Sequence, residues 1–155
     1  MRYAENTSVS AEKSRHEIER VLQRYGATGF MYGWQEKSAD IGFVMHNKQI
    51  KFILEMPDSN STAFTKTPTG RKRTSAQAHV EWEQATRQRW RALALAVKAK
   101  LEAVEAGIAT FESEFLAHIV MDDGQTIGEK LLPQLDRALT AGKLPKLLPG
   151  ISGTA

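Results

Sequence analysis

The chain has 155 residues, 41% of them hydrophobic and 25% charged, with a formal net charge of +3 and no cysteine. That composition suits one soluble domain, residues 1–155, large enough to bury a real core. Without cysteine there are no disulfides, thiolate metal sites or cysteine nucleophiles, which fits a reducing cytoplasm.

The N-terminal "MRYAENTSVS" lacks the apolar stretch of a secretory signal. The longest apolar run, "ALALAV", is far too short to cross a bilayer, so no membrane partner is expected. A first helix is predicted from Ser10, a good N-cap, with Glu12 in its first turn. Ile18, Val21, Leu22 and Tyr25 form one apolar stripe, and Gly26 closes the helix.

Three strands follow, "GFMYGW", "DIGFVMH" and "QIKFILEM", each alternating apolar and other residues. A loop at 35–38 sets Phe30 opposite Phe43 and Tyr32 opposite Ile41. A two-residue turn at Asn47-Lys48 sets Met45 opposite Ile50, Phe43 opposite Phe52 and Ile41 opposite Leu54. Both registers gather the apolar residues on one face, which a one-residue slip would scatter. The prediction is an antiparallel meander covered by the first helix.

Residues 57–75, "PDSNSTAFTKTPTGRKRTS", read as a long polar loop ending in a basic run, either flexible or a contact element. A long helix follows from about Ser75 to Ala106, and Gly107 marks its end or a kink. Another runs from the N-cap Thr110 through Phe111, Phe115 and Ile119. "DDG" at 122–124 is a turn. The last helix spans 126–141, with Pro133 inside it and Gly142 as its cap. Residues 143–155 read as an extended tail whose leucines dock on the body. The order defines an α+β fold: an N-terminal helix, a three-stranded antiparallel meander, a long polar loop, a long helix and two shorter C-terminal helices.

The long helix shows three faces. Trp82, Trp90, Leu93, Val97, Leu101 and Val104 form the expected core face. Ala85, Ala92, Ala96, Ala99 and Ala103 form a small-residue seam, a candidate interface with a second helix of this chain or of a partner subunit. Arg87, Arg91 and Lys98 lie roughly opposite the core face, continuing the basic run of the loop.

Charge is concentrated here. Between Lys66 and Lys100, nine basic residues face only Glu81 and Glu83, so the segment carries +7 and the remainder −4. A concentrated cationic zone suggests a polyanionic partner. Lys66, Arg71, Lys72, Arg73, Arg87, Arg91 and Lys98 are the candidate phosphate contacts. Trp34, near a strand end, is the candidate for base stacking; Trp82 and Trp90 are assigned to the core. The competing explanation is an ordinary solvated helix face. There is no helix-turn-helix, zinc-finger or RNP signature.

No catalytic motif is present: no phosphate-binding loop, GxSxG or HExxH. His79 and Glu83, four apart, offer two metal ligands at best and read more simply as a polar pair. The expectation is a non-enzyme without cofactor or metal.

Two segments, "MRYAENTSVSAEKSRHEIERVLQRYGATGFMYGW" and "WEQATRQRWRALALAVKAKLEAVEAGIATFESEFLAHIV", resemble a family of small proteins encoded by bacteriophages and prophages. That family has no established activity, so the resemblance assigns no residue roles. It implies a gene product at work in the cytoplasm of a bacterial host cell. The resulting expectation is an accessory protein binding nucleic acid, single-stranded DNA before duplex. The alternative is a protein-interaction module, either a homo-oligomer or an inhibitor of a host protein.

Overall fold

The computed structural model describes residues 4–142. The tail at 143–155, with its expected docking leucines, lies outside the described residues. The elements are α1 (Ala11–Arg24), β1 (Gly29–Trp34), β2 (Ser38–Met45), β3 (Lys48–Glu55), α2 (Thr62–Thr65), α3 (Ser75–Glu105), α4 (Phe111–Phe115) and α5 (Ile127–Ala141), with a 3-10 turn at Leu116–His118. This is the α+β order expected from the sequence.

Capping chemistry sets the helix ends. Ser10 accepts from the Lys13 N–H to open α1, and Gly26 closes it at φ 96°. Thr74 and Gln77 form a capping box at the start of α3. At its end, Gly107 takes φ 72°, and the Gly107 and Ile108 N–H groups donate to the Val104 and Ala103 carbonyls. This is a Schellman closure, so Gly107 ends the helix without kinking it.

The sheet has the order β1-β2-β3, antiparallel throughout. Phe30 pairs with Phe43 and Tyr32 with Ile41, as the alternation predicts. The second hairpin differs from expectation. Met45 pairs with Lys48, Phe43 with Ile50 and Ile41 with Phe52, so the turn is His46-Asn47. Both turn residues have positive φ, 51° and 58°, as a type I′ turn requires. Histidine and asparagine tolerate that region better than lysine does. The shift is two residues, so every side chain keeps its face.

The inner face supplies Ile41, Phe43, Met45, Ile50 and Phe52 to the core, where they meet Leu22 of α1, Val97 and Leu101 of α3, and Phe115 of α4. Phe115 is fully buried, with its ring edge-on to Phe43 at 5.9 Å and to Phe52 at 6.3 Å. Trp90 is buried as expected. Trp82 is only half-buried and donates from Nε1 to the Pro57 carbonyl at 2.7 Å. The buried residues of α3 run from Trp90 to Leu101, so its first half extends beyond the core.

The long polar loop has internal structure. It holds α2 and a small hairpin in which Lys66 bridges Lys72. Thr67 N–H donates to the Arg71 carbonyl at 2.7 Å, and Gly70 takes φ 85° at the turn. The helix predicted through Ile119 stops at His118 because Ile119 pairs with Ile50 at the β3 edge. Val120 then bridges Thr126, which N-caps α5.

His118 is half-buried and stacks on Phe52 at 4.0 Å between ring centroids. Burial first, then the charge of Lys100, holds its pKa below the usual histidine value. The folded protein therefore favours the neutral ring. The unfolded chain takes up this proton near pH ~6.5. It then binds more protons than the native state, so stability falls as the pH drops through that region. Urea unfolding followed from neutral to mildly acidic pH should show a falling midpoint below about pH 6.5. His118→Phe should flatten that fall.

Candidate interaction surfaces

The seven candidate phosphate contacts do not form one row. Lys66, Arg71 and Lys72 are exposed together on the small hairpin. Arg73 turns inward. One of its guanidinium nitrogens donates to the carbonyls of Ala63, Phe64 and Lys66 at 3.2, 3.2 and 2.7 Å, and the other approaches Glu81 at 4.0 Å. It thus satisfies the carbonyl end of α2 and clamps the hairpin.

Arg87 and Arg91 are half-buried. Arg87 donates twice to Gln84 Oε1, and Arg91 pairs with Glu17 of α1. Their flank does not lie opposite the core, as the sequence reading expected; it borders α1. Ala94 shares that flank and is only 4% exposed. Its small side chain lets α1 approach there, and Arg91 is caught at the edge of the contact. Lys98 is exposed, some 23 residues past the start of α3. At 1.5 Å per residue this puts it roughly 35 Å from the hairpin end.

The alanine seam is not a contact within the described residues. Ala92, Ala96 and Ala99 are exposed, and Ala85 and Ala103 are half-buried. Trp34 is 75% exposed and is the one open tryptophan of the three. His79 and Glu83 pair at 3.2 Å, and the His79 ring stacks on Trp82. Among the described residues no group of three or more His, Cys, Asp or Glu is placed to hold a metal. No described helix is long and apolar enough to cross a membrane.

Two further surfaces group exposed apolar side chains. The first is α5. Its root is well made: Thr126 and Glu129 form a capping box, Thr126 is buried, and Gly128 packs so closely on Ala117 that an added Cβ would lie 2.8 Å from its carbonyl oxygen. The Thr126 N–H first of all, donating to the Glu129 carboxylate, holds the Glu129 pKa below the usual range. Lys130 pairs with Asp123 at 2.6 Å and lowers the pKa of that carboxyl. Beyond this first turn, every residue of α5 is exposed. Leu131, Leu132, Leu135 and Leu139 share one face, each about half exposed at 46–53%. Their spacing of 4 and 4, plus a neighbour, was legible in the sequence. What was not legible is that the body ends beneath Gly128.

The second surface is the outer face of the sheet. Its cross-strand rows are Gly33-Asp40-Ile53, Met31-Gly42-Lys51 and Gly29-Val44-Gln49. Each row contains a glycine, so each lacks one side chain. The result is an open trough of about 530 Å³, with Val120 also contributing to its lining. Met31 is 74% exposed and Ile53 46%. A Cβ added at Gly33 would meet nothing within 4 Å.

Comparison with protein-family models, with curated proteins and with solved structures finds no match to this chain.

The inward role of Arg73 is directly testable. Arg73→Gln should loosen the hairpin, and limited trypsin digestion should then cut faster after Lys66, Arg71 and Lys72. An unchanged cleavage rate would mean that the clamp is not what orders this segment.

Proposed function

We propose that this protein is a non-catalytic interaction module working through two apolar surfaces, the leucine face of α5 and the trough on the sheet. One observation carries the reading. Among the described residues, four leucines stand half exposed on a helix held to the body only through its first turn. Burying a leucine contributes about 1.5–3 kcal/mol, so leaving four half-exposed is costly unless a partner covers them. A helix of 15 residues is marginal in water on its own. Contiguous apolar patches of this kind mark association surfaces. In the bacterial cytoplasm implied by the family resemblance, the partner classes are a host protein or a further copy of the chain.

A photoreactive residue at Leu135 tests the reading in cells. The expected result is one discrete adduct, lost when Leu131 and Leu139 are both changed to glutamate. A chain that never cross-links to anything would overturn it.

A second reading keeps nucleic acid as the partner, single-stranded DNA before duplex. The observation favouring it is the hairpin, which presents Lys66, Arg71 and Lys72 side by side with no carboxylate paired to them among the described residues. Arg91, paired with Glu17, drops out of the contact set. In fluorescence anisotropy with labelled single strands, Lys66, Arg71 and Lys72 changed together to serine should weaken binding. The slope of log K against log salt should fall by roughly two units, about 0.7 per lost phosphate contact. Arg91→Gln should change neither. Equal affinity of the triple variant and the wild type would sink this reading.

A further inference from the structure

We propose that the leucine face of α5 seats in the glycine-floored trough of a second copy of this chain, and that the exchange is reciprocal. The inference rests on the interaction-module reading above and names its occupant.

Each chain carries both halves of the contact. One is a convex row of leucines, and the other is a concave apolar furrow whose rows each miss a side chain. Leucine knobs need such gaps to approach a sheet closely. The two halves are also joined. Val120 lines the trough and pairs with Thr126, the N-cap of α5, and Lys51 at the trough donates to the Gly124 carbonyl at 3.1 Å. The helix therefore leaves from the rim of the trough, yet its own leucines remain exposed outside it.

Size favours a reciprocal arrangement. Beyond its first turn, α5 is roughly 16 Å long and about 10 Å wide and buries roughly 300 Å² on each side when laid in a groove. That is small for a stable complex. Two such seats per pair bring the total to roughly 600 Å² per copy, the lower end of the standard interface range. A two-fold exchange also closes on itself and leaves no surface free for further growth. The trough carries one cation, Lys51, and one carboxylate, Asp40, so Asp136 beside the leucine face fits only with its end of the helix at Lys51. Pro133 adds to the need for cover. It removes one hydrogen bond from the middle of α5, and packing against a second copy offsets that loss.

Sedimentation velocity and light scattering on the purified full chain test this. The expected mass is twice 17.3 kDa. Leu135→Glu and Gly33→Gln should each reduce it to one chain. The latter fills the trough at a position where the native fold has room for a side chain. The urea transition of the core monitors folding in both variants. The chain has no native cysteine, so a Met31→Cys, Leu135→Cys double variant can be oxidised cleanly. The expected product is a disulfide-linked dimer formed between 31 of one chain and 135 of the other. A wild type that stays single at high micromolar concentration overturns the proposal. So does a dimer indifferent to Gly33→Gln, or linkage only between two residues 135. The cellular photo-cross-link separates this failure from that of the wider reading. An adduct of another mass keeps the interaction module and discards the second copy. Absence of any intermolecular adduct discards both.

Discussion

The ring of Phe115 holds the two halves of the chain together. It sits fully buried between Phe43 and Phe52 on the sheet, against Phe111 at 4.8 Å between centroids, with the Lys100 ammonium 5.9 Å above its face. Lys100 is anchored in turn by Glu114 at 3.2 Å. Edge-to-face contacts in a closed apolar site have little freedom. Fixing this one ring therefore fixes α4, the 3-10 turn after it and the stacking of His118 on Phe52. The root of α5, which follows the 3-10 turn, takes its position from that contact.

The consequence is a body that ends abruptly. Ile119 and Val120 run along β3, Gly128 closes on Ala117, and the helix that follows goes out into solvent. On the other side of the sheet, three glycines leave the outer face concave, and among the described residues no helix covers it. An antiparallel sheet tolerates one wet face when that face is polar. This one carries Met31, Val44 and Ile53, and β1 is an open edge. Among the described residues, α5 and the trough are thus two places where exposed apolar side chains are grouped.

The basic zone shows why a charge run read along the chain overstates a binding surface. Lysine and arginine reach 6 Å or so and bend toward whatever acceptors the fold brings close. Arg73 finds the carbonyls at the end of a four-residue helix, Arg87 a glutamine one turn away, and Arg91 a carboxylate 74 positions distant. Three of the seven side chains thus serve the fold, and three others stand together on a hairpin that no periodicity announced.

The helices, the strands and the face each strand buries are legible in the chain because they depend on interactions a few residues long. Ser10, Thr74, Thr110 and Thr126 cap their own helices. Strict alternation sets the buried side of β2 and β3 even with the register of the second hairpin placed two residues off. Side-chain pairing and exposure are of another kind. Whether Arg91 is free, whether Ala92 or Ala94 is the close-contact alanine, and whether the leucines of α5 are covered all turn on how far the neighbouring elements extend. That extent follows from packing around Phe115 among residues far apart in the chain, and no local pattern carries it.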